Sequence, residues 1–146
     1  MPWLIYCDGS AIPNPGRMGL GAVWTAPDGT RHALSQVAPG VGCNNEAEVR
    51  ALMAALRALK LQGANDLRVH CDNSVVVAQV GSHTAKPIAR LASLFDEARA
   101  LLASFDSAQL VWIPGHRNAE ADALARAALG LTAPRVVKTS QKRRRF

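Results

Sequence analysis

Cysteine and aromatic residues are scarce in this 146-residue chain, and no long apolar run occurs. The three cysteines, Cys7, Cys43 and Cys71, show no C-x-x-C spacing, so neither a zinc site nor a disulfide framework is indicated. No apolar stretch approaches the roughly 18 residues that span a bilayer. The first eight residues carry no basic segment and meet an acid at Asp8, which does not fit a signal peptide. A reduced, cytoplasmic, monomeric protein without membrane attachment is the expectation. Charged residues are few, 19% against 49% hydrophobic, and that balance excludes a disordered chain and leaves one domain with a real core.

The net charge of +6 is unevenly placed. All 11 acids and 11 of the 17 Lys and Arg precede residue 135, so residues 1–134 sum to zero. The excess lies in Arg135, Lys138, Lys142, Arg143, Arg144 and Arg145. The chain therefore divides into a body, 1–133, and a basic tail, 134–146. Such a tail suggests a polyanionic partner, because phosphate contacts release counterions and supply sequence-independent affinity. A solvated tail that aids solubility is the alternative.

Hydrophobic patterning predicts strands over 3–8, 19–25 and 31–37, the last two joined at Pro27-Asp28-Gly29. Residues 11–17 read as a loop holding Pro13, Asn14, Pro15 and Gly16. Asn44 or Asn45 caps a helix to about residue 61, and Gly63 stops it. Further elements are a strand at 67–71, a short helix at 74–80, a helix at 87–104 and a strand at 109–113. Asn118 caps a last Ala-rich helix to 129, ended by Gly130. Three antiparallel strands followed by strand–helix units give an α/β fold, one mixed five-stranded sheet with helices on its faces. Strands one, four and five should be parallel. Trp3, Trp24 and Trp112 fall in strands and read as core.

Asp8 and Asp72 each end an apolar strand and precede a small polar pair, Gly9-Ser10 and Asn73-Ser74. Ligands collect at the carboxyl ends of parallel strands, and two adjacent carboxylates repel unless a proton or a cation lies between them. Helix geometry selects the third acid. Glu46 and Glu48 differ by about 200° around a helix axis. Glu48 shares the apolar stripe of Ala51, Leu52, Ala55 and Leu59, while Glu46 shares a stripe with Arg50 and pairs with it at i, i+4. An acid on a buried face is costly unless paired or bound to metal. Asp122, early in the last helix, also suits the positive end of the helix dipole.

Taken in order, Asp8-Gly9-Ser10, Asn44-Asn45-x-Ala47-Glu48, Asp72 and Ala121-Asp122-x-Leu124-Ala125 resemble the motif set of the type 1 ribonucleases H. Asn14-Pro15-Gly16 and the glycine-rich second strand match as well, and the similarity covers about residues 3–130. The resemblance implies a ribonuclease H-like fold, in which three antiparallel strands are followed by two parallel additions with helices on both faces. It implies that Asp8, Glu48, Asp72 and Asp122 converge on two magnesium ions, with manganese a substitute. The implied activity is hydrolysis of the RNA strand of RNA–DNA hybrids, leaving 3′-hydroxyl and 5′-phosphate ends. Two cations about 3.5–4 Å apart serve the attacking and leaving oxygens of an in-line displacement, and hard oxygen ligands suit magnesium.

By the same resemblance Gly9 and Ser10 approach RNA with their backbones, while Asn14, Asn44 and Asn45 offer polar contacts. His116 matches a loop histidine that moves protons or helps release product; an ordinary loop histidine, on a loop shorter than in larger relatives, is the other reading. His70 reads as structural, and His32 and His83 carry no signal. Two departures stand out. Cys43 occupies the place of a threonine that holds a DNA phosphate. Residues 82–104 hold only Lys86, Arg90 and Arg99 against Asp96 and Glu97, so the family's basic protrusion looks absent and the tail is a candidate replacement. A non-catalytic nucleic-acid module, an integrase- or resolvase-like nuclease, and a small-molecule phosphatase are the competing classes. The first predicts a damaged carboxylate set, and the second does not explain the Asn-Asn-x-Ala-Glu helix start.

Overall fold

In the computed structural model, residues 1–82 and 88–131 are described. Strand β1 (Trp3–Ile12) pairs antiparallel with β2 (Gly16–Thr25), which pairs antiparallel with β3 (Arg31–Gly42). Helix α1 (Asn44–Leu61) leads to β4 (Asp66–Cys71), α2 (Ser74–Gly81), α3 (Ala92–Ala103), β5 (Ser107–Trp112) and α4 (Ala119–Ala128). The sheet order is β3-β2-β1-β4-β5, and β4 pairs parallel with both β1 and β5. The mixed sheet and the parallel set are as the patterning predicts.

Strand alternation sorts the two faces. Ile5, Cys7, Ala22, Trp24, Leu67, Val69 and Cys71 pack with Val49, Leu52 and Leu56 of α1 and Phe95 of α3 in the main core. The opposite face meets α4. There a methyl group on Gly19 or Gly21 would lie 2.0 Å from the Ala125 carbonyl oxygen or 2.3 Å from that of Ala121. The glycines of the second strand are thus places where a helix backbone rests on the sheet.

Several boundaries differ from the sequence reading. β1 does not stop at Gly9-Ser10: these residues pair with Leu20 and Gly19, so Asp8 lies inside a strand. What ends near Asp8 is the parallel ladder with β4, whose last pair is Tyr6 with His70. β3 continues past Pro39-Gly40 because it is an edge strand, where a proline costs no ladder bond and a bulge absorbs Gly40 at φ +75°. Neither Asn44 nor Asn45 caps α1. Cys43 holds that position without a side-chain bond. Asn118 precedes α4 but does not cap it by its side chain either. Trp112 is not core but half exposed, since it closes β5 at the sheet edge, and its Nε1 donates to the Asp72 carbonyl oxygen at 3.2 Å. Trp24 is buried, and Trp3 packs on the core partly covered. The start of the 87–104 helix expectation, His83 and the basic tail fall on residues outside those described; α3 itself begins at Ala92 after a 3-10 turn at Ala89–Leu91.

Candidate active site

The site forms where the β1–β4 ladder stops. One carboxylate oxygen from each of Asp8, Glu48 and Asp72 lies within 4.8 Å of the others. Asp8 shares the α4 face of the sheet with its partner Gly21, whereas Glu48 arrives from α1 on the other side. Glycine at position 9 lets them meet. A Cβ there would lie 2.1 Å from the Ala47 carbonyl oxygen, so α1 touches β1 backbone to backbone. The Gly9 N–H then donates to Glu48 Oε1 at 2.9 Å. Glu48 is 1% exposed, as its place on the apolar stripe requires, and Glu46 pairs with Arg50 at 2.8 Å.

Electrostatics make this cluster unstable as three bare anions. Burial raises the Asp8 pKa far above the carboxylate range, and Glu48, Asp72 and Asp122 push it further. Burial likewise raises Glu48, with additional repulsion from Cys7 and Asp72. Both acids therefore favour a shared proton or a neighbouring cation. The Asp8 carboxyl hydrogen-bonds the Glu48 side chain, and apart from it the buried Glu48 Oε2 has no hydrogen-bond partner among the described residues. An all-oxygen donor set with an orphaned buried oxygen fits a hard divalent cation. Asp122, half buried in the first turn of α4, stands outside the 4.8 Å group, yet its charge acts on Asp8.

The asparagines have structural partners that local sequence did not show. Asn44 Oδ1 accepts from the Ala11 N–H at 2.8 Å, and Asn14 Oδ1 accepts from the Asn44 N–H at 3.1 Å, tying the 13–15 loop to the start of α1. Asn45 Oδ1 accepts from Asn73 Nδ2 at 2.8 Å, and Asn73 Oδ1 caps α2 by accepting from the N–H groups of Val75 and Val76. Each asparagine amide also carries Nδ2 donors. Ser10 is 8% exposed within β1. His116 is exposed on a 3-10 turn, Gly115–Arg117. A methyl group on neighbouring Gly115 would lie 3.7 Å from Asp72 Oδ2, so this turn runs beside the carboxylates. His70 is buried and structural: its ring stacks on Tyr6 at 4.3 Å, and Nδ1 lies 2.8 Å from the Ile5 carbonyl oxygen.

Two contacts escaped the sequence reading. Asn118 is 2% exposed, and its Nδ2 donates to the Cys7 carbonyl oxygen at 2.9 Å, anchoring the start of α4 beside Asp8. Its position one residue before an Ala-rich helix reads as a cap, and the true partner is 111 residues away. Arg90 Nη2 lies 3.8 Å from Cys43 Sγ. Burial would raise that thiol, but the N–H groups of Glu46 and Asn45 together with Arg90 lower it on balance.

Fold and cluster define a ribonuclease H-like α/β domain with an all-oxygen candidate metal site. Residues 6–128 match the family model described as reverse transcriptase-like. The chain is 37% identical over 134 residues to Bifunctional protein Rv2228c of Mycobacterium tuberculosis, a match covering 91% of this chain and 37% of that protein. The crystal structure of RNase H1 from the halophilic archaeon Halobacterium salinarum superposes with a TM-score of 0.82 at 32% identity, covering 89% of this chain and 98% of that one. LC11-RNase H1, solved in complex with an RNA/DNA hybrid, superposes with a TM-score of 0.76 at 31% identity, covering 88% and 96%. This chain belongs to the type 1 ribonuclease H family. It spans about a third of the length of the mycobacterial relative. Among the described residues no helix is long and apolar enough to cross a membrane.

Proposed function

We propose that this protein is a metal-dependent endonuclease that hydrolyses the RNA strand of RNA–DNA hybrids, leaving 3′-hydroxyl and 5′-phosphate ends. The observation that carries the reading is the gathering of Asp8, Glu48 and Asp72 within 4.8 Å, with an orphaned buried oxygen on Glu48. Family membership and the hybrid complex of LC11-RNase H1 support the substrate class. Asp8, Glu48, Asp72 and Asp122 would hold two magnesium ions, for which manganese can substitute. Bound there, divalent ions supply an activated water and charge stabilisation on the leaving oxygen.

The chain's own residues do the rest. Gly9, by its N–H bond, holds Glu48 Oε1 and leaves Oε2 for a ligand. Asn118 fixes α4, and with it Asp122, against the backbone that carries Asp8. Gly9, Ser10, Asn14, Asn44 and Asn45 form the surface offered to the hybrid, whose shape and 2′-hydroxyl groups mark the RNA strand. The carbonyl bonds of the three asparagines orient their amides for that contact. His116, exposed and next to Gly115 beside Asp72, moves the proton to the leaving group. The tail, 134–146, adds phosphate contacts, and the protein works as a cytoplasmic monomer.

A labelled hybrid, compared with single-stranded RNA, duplex RNA and duplex DNA in magnesium, manganese or chelator, tests the proposal. Cleavage should be confined to the hybrid's RNA strand and require the divalent ion. Asp8→Asn keeps shape and removes a ligand charge worth several kcal/mol, so kcat should fall on the order of 10³-fold. Hybrid cleavage that persists in chelator overturns the reading. Removing residues 135–146 should raise KM and flatten its salt dependence; unchanged KM at all salt concentrations removes the tail from binding.

A further inference from the structure

Behind the carboxylates lies a second group of donors of opposite chemical character. Cys7 and Cys71 occupy the positions just beyond the last β1–β4 pair, on the face covered by α1. Their sulfurs are 3.0 Å apart, and both residues are 0% exposed. One ligand atom from each of Cys7, Cys71 and Glu48 lies within 4.8 Å of the others. A thiol pair alone is a satisfied core contact. Here a carboxylate buried to 1% exposure stands over it, with an oxygen that no described group other than the Asp8 carboxyl can serve.

We propose that Cys7, Cys71 and Glu48 form a binding site for one thiophilic divalent cation of the zinc and cadmium class. Two sulfurs and one oxygen at this spacing match the ligand chemistry of such ions, which magnesium does not share. At a tetrahedral zinc with bonds of about 2.3 Å, two sulfurs sit about 3.8 Å apart, so the pair opens by about 0.8 Å on binding. Both thiols release their protons to solvent, and each sulfur donates a lone pair to the ion with no change of oxidation state. Glu48 belongs to both donor groups, and a soft cation that engages it withdraws an oxygen from Asp8 and Asp72. This consequence for catalysis rests on the proposed ribonuclease site; the thiolate site itself does not.

Cys43→Ala leaves Cys7 and Cys71 as the only thiols of the chain. Reduced, chelator-treated Cys43→Ala protein is titrated to equilibrium with cadmium chloride, and the sulfur-to-cadmium charge-transfer absorbance is followed. The band should saturate at one cadmium per chain. In the Cys43→Ala, Glu48→Gln double variant the cadmium affinity should fall by about tenfold or more, as loss of a ligand demands. Absence of the band in Cys43→Ala overturns the site, as does an affinity that Glu48→Gln leaves unchanged. Hybrid cleavage in magnesium is measured on a cadmium-free portion of the same preparation. An intact band without hybrid cleavage sinks the ribonuclease reading alone, and normal cleavage without a band sinks the thiolate site alone.

Discussion

The two faces of the sheet where the β1–β4 ladder stops differ by one residue in sequence and by a whole class of chemistry. Asp8 and Asp72 gather oxygen donors, while Cys7 and Cys71 place two sulfurs 3.0 Å apart in the core. Strand alternation alone makes this division, since successive side chains point to opposite faces. Glu48 joins the two groups because it comes from neither strand. It enters on α1 at the point where Gly9 lets that helix touch β1. One helix acid thus meets hard donors and soft donors at once, and the contact of α1 with β1 governs both.

Gly9→Ala tests that dependence and should have the largest structural effect. Its methyl group cannot lie 2.1 Å from the Ala47 carbonyl oxygen, so α1 must move away from β1. Overpacking of this kind costs about 3 kcal/mol, measured by urea unfolding. Displaced Glu48 should also weaken magnesium and cadmium binding together. Loss of one affinity without the other would separate the two donor groups.

A pH series sharpens the contrast between the faces. Asp8 and Glu48 have folded pKa values raised above their unfolded ones, chiefly by burial. A raised carboxyl contributes its full stability below the unfolded value, about 4, and loses it as pH rises toward the folded value. The metal-free protein should therefore lose about 2.7 kcal/mol between pH 5 and pH 7 if one shared proton is released on unfolding. Asp8→Asn should flatten that slope, and so should saturating magnesium. A metal-free stability that climbs over this window would show that the acids are already paired with positive charge.

Arg31→Ala should do least. Arg31 binds both oxygens of Glu120 at 2.8 and 2.9 Å, but the two side chains are 57% and 61% exposed. An exposed pair contributes at most about 0.5 kcal/mol and should leave both cation affinities unchanged. An effect above 1 kcal/mol would mean that α4 depends on this contact for its seat on the sheet.

Much of the fold was legible because hydrophobic period reports the face that each element buries. The stripe Ala51, Leu52, Ala55 and Leu59 places Glu48 inward, and Glu46 pairs with Arg50 as the same geometry requires. The strand ends were less legible. Gly9-Ser10 and Pro39-Gly40 look like breaks, yet the first lies where a helix packs and the second where an edge strand bulges. The asparagines misled for a related reason. An amide before a helix suits a cap, but Asn44, Asn45 and Asn118 found partners on β1, at the start of α2 and at Cys7.

By itself the sequence determined the mixed sheet and the inward glutamate, because period and helix angle are local properties of the chain. Only the tertiary structure decided that Cys7 and Cys71, 64 residues apart, touch. It alone also set Glu48 against Asp8 and sent Asn118 to a strand carbonyl. Such choices depend on which groups the packed sheet and helices bring within hydrogen-bond reach, and no local spacing encodes that distance.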